Sequence, residues 1–318
     1  MIDLSPYIQW LKNDEVVVMP TETVYGLGAS IESEPAILKI FEIKQRPLSN
    51  PLIVHIESVN DFSKYAQTVP DEVYQLATAF CPGPISFVLP AVSTLSPLLL
   101  GGQTTVALRI PQHPLALQLI RELGTPIAAP SANRYKGLSA TTAHAVALAM
   151  PELTGRIIDG GRCAAGVEST IVGFEKNQPV IYRMGSITNE QIESVLKKKV
   201  GYIGHAATLP KAPGMQLRHY APQTPMVVTH DIKEVVEKLS PARLAVVSFQ
   251  HPVSHPSVVA QEILSPSGDF REAAYQLYHS LGLLDAVQAD FIVAEWLPEK
   301  ELGAAINDKL RRGAEQIY

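Results

Sequence analysis

From Glu15 to about Arg183 short β-branched runs alternate with helical patterns, and this alternation confines the chain to a mixed α/β layer fold. The runs cover residues 16–19, 52–54, 85–89, 106–108, 127–129, 157–158, 171–172 and 180–182, enough strands for one full twisted sheet. Between the first two, Ile37, Ile40, Phe41 and Lys44 recur at i, i+3, i+4 and i+7. That spacing predicts an amphipathic helix that buries three apolar side chains and delivers Lys44 in its last turn, with Pro47 stopping it. Further helices fit 115–123 and 141–150, and another opens at Thr188 and ends in Lys197, Lys198 and Lys199. That charge order complements the helix dipole, and the lysine run reads as a solvated turn.

The pattern lapses over Gly201 to Pro225, which holds two more glycines and four prolines, and then resumes. Strand runs at 226–228, 244–247 and 291–293 alternate with helical patterns at 232–239, 270–281 and 302–312, predicting a small parallel, Rossmann-like sheet. It lacks the dinucleotide glycine fingerprint, so no cofactor is implied there. A length of 318 residues suits about two domains. The expected division is residues 1–201, a linker over 202–225, and residues 226–318. The linker is no plain spacer, because His219, Tyr220 and Arg218 place donors and an aromatic where Ser and Gly would serve.

Charge and motif content remove whole classes of function. The formal charge is −5, with 16 Lys+Arg against 18 Asp+Glu before Gly201 and 10 against 13 from there on. Neither part is a basic nucleic-acid glove, so a polyanion must be held by a local cluster of cations. Cys81 and Cys163 give no metal-ligand spacing and read as ordinary thiols. Phosphate-loop, His-Glu-x-x-His, Cys-x-x-Cys and Gly-x-Ser-x-Gly motifs are absent. No apolar run reaches bilayer length and the first residues lack a basic-then-apolar signal, so a cytoplasmic address is expected.

Five polar clusters remain, at predicted strand ends, where open α/β sheets bind ligands. Residues 20–28, Pro-Thr-Glu-Thr-Val-Tyr-Gly-Leu-Gly, offer Thr21 and Thr23 on one side if extended, or else a Ser/Thr turn with a glycine bend. Lys44 and Arg46, with Asn50 between Pro47 and Pro51, form a rigid positive corner suited to phosphate, or a plain helix C-terminus. His55 lies at the far end of the next strand and reads as a sheet-edge histidine. Alternation turns Thr105, Ala107 and Arg109 to one face, where the arginine needs either a protein carboxylate or a ligand anion. Ala129 to Asn133 and Ser139 supply small donors around Ser131, and Ser169 opens one strand while Arg183 closes the next. Together Lys44, Arg46, Arg109 and Arg183, ringed by hydroxyl and amide donors, outline a triphosphate site.

These residues resemble the YrdC-like threonylcarbamoyl-AMP synthase family in its longer two-domain form. Residues 20–27, Lys44 to Pro47, Pro130 to Asn133, Glu168 to Ile171 and His219 to Pro222 stand in the family's order and spacing. The resemblance implies a YrdC-like catalytic domain over 1–201, a linker that folds over the pocket, and a Rossmann-like C-terminal domain. It implies a nucleotidyltransferase that condenses L-threonine, bicarbonate or CO2, and ATP with Mg2+ to threonylcarbamoyl-AMP and pyrophosphate. The product would pass to the tRNA threonylcarbamoyl transferase machinery, which modifies adenosine 37 of tRNAs reading ANN codons, with at most weak tRNA contact by this chain. The implied threonine site is Thr23, His55, Arg109, Ala129 and Ser169. The implied ATP site is Lys44, Arg46, Asn50, Thr105, Ser131, Asn133, Ser139, Arg183 and Tyr220, with His219 beside it, and Lys44 and Arg46 would stabilise the transition state. Two alternatives stay open: an RNA-binding module, and a carbamoyl-adenylate-forming relative sharing the core motifs.

Overall fold

A computed structural model describes residues 2–203 and 219–318. The first sheet has nine strands: β1 (Val17–Met19), β2 (Gly26–Ser30), β3 (Ile53–His55), β4 (Ile85–Pro90), β5 (Thr105–Arg109), β6 (Ile127–Ala128), β7 (Thr170–Glu175), β8 (Gln178–Arg183) and β9 (Gly201–Tyr202). Their order across the sheet is β1-β2-β6-β3-β5-β4-β7-β8-β9, with parallel and antiparallel neighbours mixed. Helices α1 (Ser5–Lys12), α2 (Glu34–Lys44), α3 (Phe62–Tyr65), α4 (Asp71–Phe80), α5 (Pro97–Leu100), α6 (Pro114–Leu123), α7 (Ala143–Ala149) and α8 (Asn189–Leu196) surround it. The second sheet, β10 (Met226–Thr229), β11 (Leu244–Ser248), β12 (Val258–Ile263), β13 (Phe291–Glu295) and β14 (Gln316–Ile317), is wholly parallel in the order β12-β11-β13-β10-β14. It carries α9 (Ile232–Leu239), α10 (Phe270–Asp285) and α11 (Gly303–Gly313).

Local chemistry sets these bounds. Ser33 caps α2 by accepting from the Ala36 N–H, Glu34 sits in the first turn and Lys44 in the last, and Gln45 turns left-handed to end it. A reciprocal capping box between Thr188 and Gln191 starts α8, and Asp231 and Asp269 cap α9 and α10. The main core lies between one face of the first sheet and α2, where Ile37, Ile40 and Phe41 meet Val54, Phe87 and Leu108. Leu4, Leu11, Leu119, Met19 and Ile127 form a second layer under α1 and α6. In the second sheet α10 and α11 cover one face and α9 the other. Val24 and Val167 of the first body pack into the α10–α11 core, so the two bodies share apolar surface.

Several expectations change. Residues 26–30 are not a glycine bend but strand β2, buried between β1 and β6. A Cβ at Gly28 would meet Ile127 Cγ2 at 2.8 Å, so the close strand approach there demands small residues, which erases the β-branched signal. Residues 157–158 are no strand; Ile157 makes only an isolated bridge to Val18. Helices α1, α3, α4 and α5 and strands β9, β12 and β14 fall where no element is expected, and the helix at 270–281 continues to Asp285. Thr21 is not extended: its hydroxyl donates to the Val24 carbonyl at 2.7 Å and lies 2.8 Å from the Thr23 hydroxyl, a Ser/Thr turn. Arg218 and most of the expected linker lie outside the described residues. Among the described residues no helix is long and apolar enough to cross a membrane.

Candidate active site

Parallel pairing of β3 with β5 places His55 directly opposite Arg109 at the carboxyl ends of both strands. Because β6 runs antiparallel to β3, the chain leaving it carries Ala129, Pro130 and Ser131 away past Ile53, with Ser131 bridged to Gly26, so they face the cavity from across the His55–Arg109 end. Ser169 enters β7 there, and Arg183 ends β8 in register with Ile171. These elements wall a cavity of about 50 Å3 that is lined by Thr23, Arg46, His55, Arg109, Ala129, Ser131, Glu168, Ser169, Arg183, His219 and Tyr220, among others. All five residues of the expected threonine set therefore share one hollow with Arg46, Ser131, Arg183 and the His219–Tyr220 pair of the expected nucleotide set. Lys44, Asn50, Thr105, Asn133 and Ser139 do not line it.

Lys44 stands one layer behind the wall. Its buried ammonium donates to the Ser131 carbonyl at 2.6 Å, to the Asn133 carbonyl, and to Asn133 Oδ1 at 3.2 Å. All three of its donors hold the 131–133 loop in place. Burial, then the charges of Arg46 and Arg134, pull its pKa well below the usual lysine value. Arg46 donates from Nη2 to the Pro51 carbonyl at 2.8 Å and from Nε to the Asn50 carbonyl at 3.3 Å, and burial draws it down to about 10. Both side-chain amide atoms of Asn50 are buried with no partner among the described residues. Ser139 faces a neighbouring cleft beside α7 and α10, and its hydroxyl donates to Glu168 Oε1 at 2.6 Å. Thr105 lies at the opposite end of β5 from Arg109.

On the threonine side Arg109 Nη2 meets Glu22 Oε1 at 2.7 Å, both groups being buried, and Glu22 Oε2 accepts the Gln112 N–H at 3.0 Å. Arg109 Nε is buried with no partner among the described residues. His55 Nδ1 lies 3.3 Å from the Ile127 carbonyl; burial and then Arg109 lower its pKa to about 3, so the imidazole is neutral. Ser169 is fixed twice, by the Ser86 hydroxyl at 2.8 Å and by Arg183 Nη2 at 3.0 Å. Overhead His219 and Tyr220 rings sit 4.1 Å apart, and Tyr220 takes a positive φ of 63°. Burial, then Arg46, Lys44, Arg183 and Arg312, push His219 well below 6.5. His219 Nδ1 and the Tyr220 hydroxyl are buried with no partner among the described residues. Unpaired buried polar atoms are rare in folded proteins. Here Arg109, His219 and Tyr220 present three around one cavity, a donor-rich lining shaped for a polar, anionic guest.

Glu22 and Glu168 have no role predictable from the motifs in which both stand. A carboxylate inside a stretch otherwise so short of charge needs a partner, and that was the available signal for Glu22. Tyr278 of α10, which donates to Glu168 Oε2 at 2.8 Å, had none: with Ala274, Leu277 and Leu281 it reads as an apolar helix stripe.

Fold and pocket together define a two-body YrdC-like protein with an arginine-lined pocket. The family described as "Telomere recombination" matches residues 9–185, and "Threonylcarbamoyl-AMP synthase, C-terminal domain" matches residues 187–315. The threonylcarbamoyl-AMP synthase of Pyrococcus abyssi is 37% identical, over 96% of this chain and 92% of its own length, and that of Bacillus subtilis is 38% identical, over 96% and 90%. The crystal structure of P. abyssi Sua5 complexed with L-threonine superposes with a TM-score of 0.90 at 35% identity, covering all of this chain and 97% of that one. The chain belongs to the threonylcarbamoyl-AMP synthase family. Matches that run through both bodies do not favour the RNA-binding or carbamoyl-adenylate alternatives.

Proposed function

We propose that this chain is a nucleotidyltransferase that condenses L-threonine, bicarbonate or CO2, and Mg·ATP to threonylcarbamoyl-AMP and pyrophosphate. The threonine amine adds to CO2 to give a carbamate, and one carbamate oxygen attacks the α-phosphorus of ATP in line while pyrophosphate leaves. Catalysis consists of holding two anions together and offsetting their charge as it redistributes. Arg109 Nε would take the threonine carboxylate, with Thr23, His55, Ala129 and Ser169 around the amino acid. Arg46 and Arg183 would face the phosphates directly. Lys44 would act through the Ser131–Asn133 loop it clamps, with Asn50, Thr105 and Ser139 as outlying nucleotide contacts.

The observation that carries this reading is the gathering of three buried guanidiniums, Arg46, Arg109 and Arg183, on one cavity beside buried polar atoms that have no partner among the described residues. Nucleotide-sized pockets run to several hundred Å3, far more than the cavity of about 50 Å3. Admission of ATP requires the His219–Tyr220 pair to lift, and its return would shield the hydrolysable adenylate from water. Glu22 and Glu168 are committed to protein partners, and Mg2+ would enter together with the ATP substrate. The product would go to the tRNA threonylcarbamoyl transferase machinery in the cytoplasm, for adenosine 37 of tRNAs reading ANN codons. Pyrophosphate release from ATP should require both threonine and bicarbonate. Release undiminished when either is left out would overturn the assignment.

A further inference from the structure

Helix α10 approaches the loop that enters β7 so closely that only glycine fits between them. A Cβ on Gly166, where φ is +74°, would lie 2.4 Å from the Ala274 carbonyl oxygen and 2.5 Å from Tyr275 Cα. One turn beyond Ala274, the buried Tyr278 hydroxyl reaches Glu168 Oε2 at 2.8 Å, while the Ser139 hydroxyl occupies Oε1 at 2.6 Å. The Tyr278 ring also packs against Tyr220, with centroids 5.9 Å apart. One side chain of the C-terminal body thus touches two groups of the pocket rim: the first body's carboxylate that orients Ser139, and the ring of Tyr220, beyond the first body, that closes the top. Ser169, next to Glu168, is held independently by Ser86 and Arg183.

We propose that Tyr278 is a positioning residue for the nucleotide: its hydroxyl fixes Glu168, and through it Ser139, while its ring seats Tyr220. The nucleotide half of the site is then incomplete without α10, whereas the threonine half stands without it. This rests on the synthase reading above. The test is Tyr278→Phe, which keeps the ring and removes only the hydroxyl, with ATP and threonine affinities measured separately by calorimetry and through the two KM values for pyrophosphate release.

The expected result is an ATP KM raised about tenfold, the size of one hydrogen bond to a charged group, with threonine affinity within about twofold of the parent. In a Ser139→Ala background the same substitution should have much less effect, because the two hydroxyls act through one carboxylate. Equal losses for both ligands would mark Tyr278 as merely structural and overturn the proposal, as would no loss for either, or full additivity with Ser139→Ala. Failure of the synthase reading would appear instead in the unsubstituted protein, as pyrophosphate release independent of threonine.

Discussion

Arg109 gives its Nη2 to Glu22 at 2.7 Å while its buried Nε has no partner among the described residues, so one guanidinium is anchored on one edge and open on another. The carboxylate aims the arginine as well as neutralising it. Glu22→Gln removes the anion from a buried pair and leaves an uncompensated cation, which should cost about 3–5 kcal/mol in urea unfolding. A loss below about 1 kcal/mol would show that the pair is solvated in solution.

Arg109→Lys tests the open edge. A single ammonium cannot reproduce the planar fork that serves Glu22 and a substrate carboxylate together. The threonine KM should rise about tenfold or more while the ATP KM stays near its original value, read from pyrophosphate release. A parallel rise in both constants would place Arg109 on neither substrate in particular.

Arg46 and Lys44 are two residues apart and should fail differently. Arg46→Ala removes a guanidinium that lines the cavity and should cost roughly 1.5–3 kcal/mol of charge-assisted ATP binding together with most synthase activity. Lys44→Met strips three hydrogen bonds from the Ser131–Asn133 loop, so the melting temperature should fall first and activity with it. Scanning calorimetry beside pyrophosphate release separates the two. A Lys44→Met protein as stable as its parent would mean that the ammonium is spent on ligand instead.

The contrast between these two cations shows what was legible in the chain. Helix α2, its stop before Pro47 and the arrival of Lys44 in its last turn follow from apolar spacing and turn chemistry, both local signals. The three central strands of the parallel second sheet were equally readable from their buried valine and isoleucine runs, whereas the edge strands β12 and β14 are too exposed to give one. Strand β2 was hidden because Gly26, Gly28 and Ala29 are there for close packing, and packing partners such as Ile127 lie about a hundred residues away. The same distance hid the direction in which each side chain points. Nothing in the sequence separates Arg46, facing the cavity, from Lys44, turned onto a loop nearly ninety residues downstream.

Two buried histidines set an acid limit on stability. His55 is held at about 3 against 6.5 when unfolded, and His219 also lies well below 6.5. Between those values the unfolded chain binds a proton at each site that the folded one refuses, so stability is lost as the pH falls below about 6.5. The loss is at most about 1.4 kcal/mol per pH unit for each histidine. Urea midpoints measured from pH 7 to pH 5 should show this slope, and His55→Gln should flatten it by one proton's worth. An unchanged slope in the variant would mean that His55 already titrates normally in the folded state.

Two left-handed glycines separate backbone strain from contact between the bodies. Gly166 (φ +74°) lies against the backbone of α10, whereas Gly124 (φ +80°) has nothing within 4 Å of where a Cβ would stand. Alanine at either position meets the left-handed penalty of about 1–2 kcal/mol. Only Gly166→Ala must also push α10 away from the 166–169 loop, carrying the Tyr278 hydroxyl off Glu168. Gly124→Ala should therefore lower stability and leave the ATP KM alone. Gly166→Ala should lower stability further and raise the ATP KM in the same sense as Tyr278→Phe. If both variants showed the same ATP KM as the parent, the close approach of α10 to the loop would matter for packing alone.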